Sequence, residues 1–586
     1  MLQLQAQLMN HWICKVHKPY PAQVGEVQFH SHFLHSMPMT LKTIIIAISL
    51  FALPATGVNF TTTILLNLPN YGILRGGVTS EGAQCFLGIP FANVTKRWYP
   101  ASRYQGTWDG ERDSTRYGPY CPQILGGTDS VDSPGAVASE HDCLNLNVYT
   151  PDTNSSKLPV MVWIYGGSFT QGGNSIYPYG AENVIPYTKN ISHPVIIVTI
   201  NYRLDVLGFL AGNDIAAAIA NDTSLKGKDK AVGNWGLMDQ VLGLEWVKKN
   251  IEHFGGDPER ITVYGESAGA ISIHHHMLLN HGLFKRAILQ SGTINTAPPV
   301  PVSTDQSLFE QLLEKYGIDK NLDSQGKVDA LRQINYTTLI NDANALGSNI
   351  TPHQDDVLIH ADIIKQALEF QGYDQGIEAV IMGDCKDEGT MFYKQNNLTN
   401  PEGYKAYVET RIPQNLRQEF MSMYPKPQSN STDEWAALGS SINGDLKFHG
   451  PTHLYAKSLA TQGKYKTWYY HFDQPIQAYI YITSKTLGLP PAVHHASDLL
   501  PTFLQTARLT PHETLVAQKL VEYWVRFAYG EDLSQNGWNR FDTGKVLLFG
   551  PDPVSRETDD DRSVTQMNFY SKYVDETFLS NATSMK

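Results

Sequence analysis

The sequence predicts an α/β protein with a large, mostly parallel central sheet, helices on both faces and helical excursions. Two observations carry this. Short, continuous, β-branched apolar runs recur along the chain, as strands buried on both faces of a parallel sheet do. Between them lie stretches of helical spacing, and that alternation is the pattern of an α/β sheet. The runs are PVMVWIY (159–165), VIIVTINY (195–202), ITVYG (261–265), RAILQSG (286–292), EAVIMG (378–383) and KTWYYHF (466–472). Leu237, Val241, Leu244, Val247 and Ile251 recur at spacings of three and four and predict one helix. Residues 511–528 read as another. Near the start, YGILRGGV and GAQCFLGIPF read as antiparallel edge strands. Residues 301–376 and 391–460 read as helical excursions from the sheet.

Ahead of these elements stands a segment that does not read as fold. Lys42 precedes the apolar run TIIIAISLFAL (43–53), and the small residues PATG follow. This is the pattern of a secretory signal, and the run falls short of the roughly 20 apolar residues that span a bilayer. Residues 1–57 are therefore expected to be a leader with 43–57 as its core, and translation to start at Met37 or Met39. No linker rich in Pro, Gly or Ser interrupts the remainder, so residues 58–586 are expected to form one domain. Sequons stand at Asn59, Asn93, Asn154, Asn190, Asn221, Asn335, Asn349, Asn397, Asn430 and Asn581. The C-terminal NATSMK carries neither an ER-retention tetrapeptide nor an apolar tail. A soluble, secreted, extracellular glycoprotein is expected, without a membrane span.

With 42% apolar and 17% charged residues the composition is that of a globular protein. The formal net charge of −12 comes without a basic patch, which argues against a nucleic-acid partner. Of the five cysteines, Cys14 lies in the leader, Cys85 reads as a buried strand residue and Cys385 as a packed thiol. Cys121 and Cys143 sit in polar stretches. If paired they close a loop of about 20 residues, worth about 3 kcal/mol in the chain-entropy account. The cysteine spacing fits no zinc site.

The stretch YGESAGA (264–270) carries the chemistry. ITVY is a strand ending at Gly265, and ISIHHHMLL after the small residues can form a helix, so Ser267 stands at a strand–turn–helix elbow. The helix N-terminus there suits a developing oxyanion. A serine nucleophile needs a base, a group that orients it and donors for the oxyanion. Glycines at a strand end, in WIYGGSF, supply donors. On folds with such an elbow the order is serine, acid, histidine. CKDEGTMF follows a later strand and offers Glu388 or Asp387, and PPAVHHASD offers His494 or His495. The adjacent His274, His275 and His276 point in different directions on a helix and are not expected to share a metal.

Several stretches are those of a known family: FLGIPFA, EHDCLNLNVYTP, VMVWIYGGSF, NYRLDVLGFL, GNWGLMDQVLGLEWVKKNIEHFGGDP, ITVYGESAGA, AILQSG, KDEG and HHASD. The chain resembles the type-B carboxylesterases and lipases, which include cholinesterases and fungal lipases. The resemblance spans about residue 72 to the end and implies the α/β-hydrolase fold. It implies Ser267 as nucleophile, Glu388 as the orienting acid and His495 as base, three residues before Asp498. It also implies oxyanion donation by the N–H groups of Gly167, Ser168 and Ala268, and pairing of Cys121 with Cys143. Glu266 has two readings, a carboxylate that tunes the field at the site and a buried turn residue. Ser291 reads as a support around the site.

Departures narrow the choice. Ser168 stands where the family often has a third glycine. No tryptophan lies between Cys121 and Cys143, where cholinesterases carry their choline-stacking ring, so choline esters are not the expected substrate. No cysteine falls between Cys143 and Cys385, so the family's second disulfide is missing. The expected activity is hydrolysis of small-molecule or lipid carboxylic esters through an acyl-enzyme, with no metal or organic cofactor. A lipase acting at lipid surfaces shares this chemistry. The loop PQILGGTDSVDSPGAVASEHD is short and lacks aromatics, which favours a plain esterase over a lidded lipase. A non-enzymatic adhesion relative would be expected to lack the serine or histidine.

Overall fold

A computed structural model of the chain describes residues 58–124, 137–429, 431–462, 464–484, 489–560 and 564–579. The proposed leader and signal run, the sequons Asn430 and Asn581, and most of the loop between Cys121 and Cys143 lie outside the described residues. The centre is a thirteen-stranded sheet. Its strands are β1 (Phe60–Leu68), β2 (Gly72–Thr79), β3 (Gln84–Pro90), β4 (Glu111–Asp113), β5 (Asn145–Thr150), β6 (Leu158–Ile164) and β7 (Ile196–Ile200). They continue with β8 (Gly256–Glu266), β9 (Arg286–Gln290), β10 (Ala379–Cys385), β11 (Lys466–Phe472), β12 (Lys545–Phe549) and β13 (Ser555–Asp559).

The spatial order is β1-β2-β3-β5-β7-β6-β8-β9-β10-β11-β12-β13, with β4 beside β2. From β7 to β12 every neighbour is parallel. An antiparallel wing of β1, β2, β3 and β5 precedes this block, with β4 parallel to β2, and β13 closes the far side antiparallel. The parallel strands are the predicted apolar runs, and every residue of β7 and β9 is buried. The two early strands pair antiparallel as expected but are not outermost, because β1 covers β2.

Helices pack against the sheet. The predicted 237–251 helix is α1, Trp235–Asn250. Ala268–Leu278, α2, follows β8 directly and lies on β6, β8 and β9. One long excursion ends in α3 (Thr432–Gly444), a π turn (Asp445–His449) and α4 (Gly450–Thr461). The helix α5, Pro511–Tyr529, shows why its residues form one. Thr510 Oγ1 accepts the Glu513 amide, Glu513 Oε2 accepts the Thr510 amide, and Pro511 opens the first turn. Gly530, at φ 82°, ends it in the left-handed conformation. Among the described residues no helix is long and apolar enough to cross a membrane.

Cys121 and Cys143 are bonded to each other. Cys85 and Cys385 are buried free thiols. All eight sequon asparagines within the described residues are exposed.

Candidate active site

Ser267 sits between β8 and α2 at φ 53°, ψ −122°. A non-glycine residue there carries about 1–3 kcal/mol of backbone strain, which the surroundings must over-determine. They do so on both sides. The Ser267 amide donates to Gln290 O at 2.9 Å, and Ser267 O accepts from the Ile271 amide at 2.9 Å. The glycines explain the rest of the frame. A β-carbon on Gly269 would lie 2.0 Å from Ile164 O, and one on Gly265 would lie 2.5 Å from it. On Gly292 it would lie 2.4 Å from Ser267 O, and on Gly166 it would lie 2.9 Å from Ser267 Cβ. The elbow is pressed onto the end of β6, and Ser267 itself remains partly exposed.

The loop after β6 is equally constrained. Gly167, Ser168 and Phe169 all have positive φ, 98°, 56° and 61°. Gly167 O turns inward to the amides of Thr170 and Gln171. The amides of Gly167 and Ser168 donate to no group among the described residues. Ala268, the first residue of α2, has no intrahelical acceptor for its own amide. The Ser168 side chain is exposed.

Two further loops, after β10 and β11, bring the acid and the histidine. Glu388 is fully buried. Its Oε2 lies 2.5 Å from His495 Nδ1, and its Oε1 accepts the Cys385 amide at 2.8 Å. Burial would raise the Glu388 carboxyl, but His495, with His449 behind it, brings it below the ordinary carboxyl range. Asp387, the alternative acid, has another task. Its amide donates to Val493 O and its carboxylate accepts the Val493 amide, both at 2.9 Å, which ties the histidine loop to the acid loop. His494 Nδ1 donates to His495 O at 2.8 Å, so its ring faces away from Glu388.

Glu266 joins the group. Its Oε1 lies 3.0 Å from His495 Nε2 but accepts no hydrogen bond among the described residues. Burial pushes its carboxyl up to about 8, with His495 opposing and Asp498 and Glu388 adding to the rise. Burial likewise disfavours the charged His495 ring, but Glu266 and Glu388 outweigh it and hold His495 up to about 9. Glu266 and His495 therefore titrate as a coupled pair, each above its ordinary range.

Residues the sequence did not single out complete the site. Gln290 accepts the Ser267 amide, and its Nε2 donates to Asp498 Oδ2 at 2.8 Å, linking the elbow to the histidine loop. Tyr470 Oη also donates to Asp498 Oδ2, at 2.8 Å. Phe448, on the π turn, packs on the His495 ring at 4.5 Å between centroids, and Phe392 at 5.3 Å. Phe392 stands four residues after Glu388 in its motif, which was a usable signal. Phe448 had none.

Ser291 stands beside the elbow, between Gln290 and Gly292. Ser291 is buried, and its hydroxyl has no partner among the described residues. His274 pairs with Tyr373 Oη and His276 with Gln240, each at 2.7 Å. Burial holds His274 and His275 down to about 3, so they are neutral. No cluster of metal-ligating side chains occurs among the described residues.

A parallel sheet with a strained serine at a strand-to-helix elbow, and an acid and a histidine on later loops, defines an α/β-hydrolase. The carboxylesterase family profile matches residues 63–569, and the chain belongs to that family as a carboxylic ester hydrolase. It is 31% identical to Lipase 4 of Diutina rugosa over 469 residues, covering 71% of this chain and 79% of that one. It is 31% identical to the para-nitrobenzyl esterase of Bacillus subtilis over 422 residues, covering 69% and 77%. A solved PNB esterase structure superposes with a TM-score of 0.68 at 26% identity, covering 87% of this chain and 99% of that one.

Proposed function

We propose that the chain hydrolyses its esters through an acyl-enzyme on Ser267, with His495 as base and Glu388 orienting it. The observation that carries this is the His495 ring, fixed at Nδ1 by Glu388 while Nε2 lies 3.0 Å from Glu266 Oε1 with no hydrogen bond between them. In its neutral form His495 can take the proton of Ser267 Oγ. The oxygen attacks the ester carbonyl, and the amides of Gly167, Ser168 and Ala268 receive the oxyanion. Each such donor is typically worth about 3 kcal/mol. His495 then protonates the departing alcohol. Water repeats the sequence on the acyl-serine and releases the acid. The imidazolium formed midway is stabilised by Glu388 and Glu266.

We also read residues 1–57 as a removed leader and 58–586 as one secreted, glycosylated domain. The signal-like run and the exposure of the eight described sequons support this.

The test is a fluorophosphonate ester label. It should attach to the peptide that contains Ser267, and hydrolysis of p-nitrophenyl butyrate should stop with it. Labelling of another residue, or full turnover in Ser267→Ala, would overturn the assignment.

A further inference from the structure

Asp205 sits at φ 51° and is fully buried. It opens the short helix Asp205–Phe209, which follows β7. Both features are unfavourable by themselves. The left-handed region crowds any side chain, and a carboxylate loses its hydration on burial. Among the described residues no cation pairs with it. Arg203, two residues before, is held by Asp239 of α1 at 2.7 Å. Asp305 faces His353 and takes the Ala211 amide, and Asp342 takes Tyr316 Oη and faces Lys315. Burial accordingly raises the Asp205 carboxyl to about 6, against two hydrogen bonds that lower it. A glycine would avoid the strain and the buried charge together.

The residue instead joins three parts of the chain. Its amide donates to Phe169 O at 2.8 Å, and Phe169 is the last of the three left-handed residues in the loop after β6. The Phe169 ring also packs on Phe209, at the other end of the short helix, at 5.0 Å between centroids. Asp205 Oδ1 accepts the Val206 amide at 2.6 Å. Oδ2 accepts Asn344 Nδ2 at 3.0 Å, from the excursion helix Tyr336–Ala345. Both oxygens act as acceptors, so adding a proton forfeits one of these bonds. The ionised side chain thus fixes the backbone whose amide holds the loop.

We propose that Asp205 is a positioning residue for the oxyanion donors. Its ionised carboxylate, gripped by Val206 and Asn344, keeps its amide on Phe169 O and so holds the Gly167 and Ser168 amides in place. The inference rests on the Ser267 reading and adds a part outside the triad. A donor displaced in this way weakens binding of the transition state and leaves binding of the ester itself unchanged.

The test compares Asp205→Gly, Asn344→Leu and wild type on p-nitrophenyl butyrate. Asp205→Gly removes the strain and the buried charge at the loss of the Val206 bond, so its denaturation midpoint should stay close to wild type. Its kcat should fall about tenfold or more, with KM within about threefold. Affinity for trifluoroacetophenone, whose ketone adds to a serine as an oxyanion, should fall with kcat. Asn344→Leu, which removes the far donor, should move both quantities in the same direction. Wild type supplies a measurement that needs no variant to fold. Below about pH 6 Asp205 gains its proton in addition to that of His495, and the slope of log kcat/KM against pH should steepen from about one to about two. Unchanged kcat and ketone affinity in the variants, or a loss confined to KM, would overturn the positioning role and leave the triad standing. Should the variants not fold, a wild-type slope that stays at one would do the same. Full turnover in Ser267→Ala would remove both.

Discussion

His495 Nδ1 stands 2.5 Å from Glu388 Oε2, while the other oxygen of the same carboxylate takes the Cys385 amide. The carboxylate is thus fixed by backbone before it orients the ring. Glu388→Gln keeps the shape but can offer Nδ1 a donor in place of an acceptor, which favours the wrong tautomer. It should lower kcat by about 10³–10⁴-fold with little change in KM. A loss below tenfold in steady-state kinetics would show that Glu388 does not set the tautomer.

The adjacent histidines separate cleanly. His495 faces both carboxylates, whereas His494 is spent on a backbone carbonyl. His495→Ala should lose about 10⁴-fold in kcat/KM on one soluble ester. His494→Ala should lose less than about tenfold. The reverse ranking would mean that the wrong ring has been assigned.

Glu266 makes a prediction about pH. Its carboxylate helps hold His495 above the ordinary imidazole range, and the base works only when deprotonated. Glu266→Gln removes one of the two stabilisers of the charged ring, so the pKa of His495 should fall. The acid limb of the kcat/KM profile should then move to lower pH by about one pH unit or more. A limb that stays in place, or moves up, would show that Glu266 does not tune His495.

Packing at the elbow can be tested by stability. Gly269→Ala would drive a methyl group against Ile164 O, a backbone atom that cannot rotate away. The cost should be about 3 kcal/mol, read as a fall in denaturation midpoint. Gly317→Ala is the comparison. Gly317 has φ 63° with open space around its Cβ position, so only the conformational cost of about 1–2 kcal/mol applies. Equal effects at both positions would mean that the elbow is not tightly packed.

How much of this was legible in the chain follows from its local signals. Strands such as Lys466–Phe472 were bounded by their apolar runs because both faces are buried. Asn145–Thr150 was not singled out, because buried Asn145 and Asn147 interrupt its apolar pattern. Those side chains serve hydrogen bonds to Pro119 O and Asn174 O that only the folded chain reveals. Phe60–Leu68 lies at the edge, with three consecutive exposed threonines and an exposed Leu65, and carries too weak a pattern. The first strand of the elbow begins at Gly256, five residues before the apolar run, across a register shift beside Val160. For the site, Ser267, Glu388 and His495 were named through motifs that the family shares. Phe448 and His449 sit on a π turn inside a helical excursion. A one-residue change in helical winding leaves no trace in spacing, so their convergence on the site was invisible.

The order of strands has a consequence for biosynthesis. Ser267 follows β8, and Glu388 and His495 stand on the loops after β10 and β11, strands that fall within a run of four in the sheet but are far apart in the chain. A growing polypeptide completes the elbow long before it has any histidine to serve it. On the proposed assignment of His495 as base, the serine lacks its proton acceptor until β11 and the loop behind it have docked, and the unfinished chain is inert toward esters. On that assignment the fold withholds hydrolysis until the histidine loop is in place.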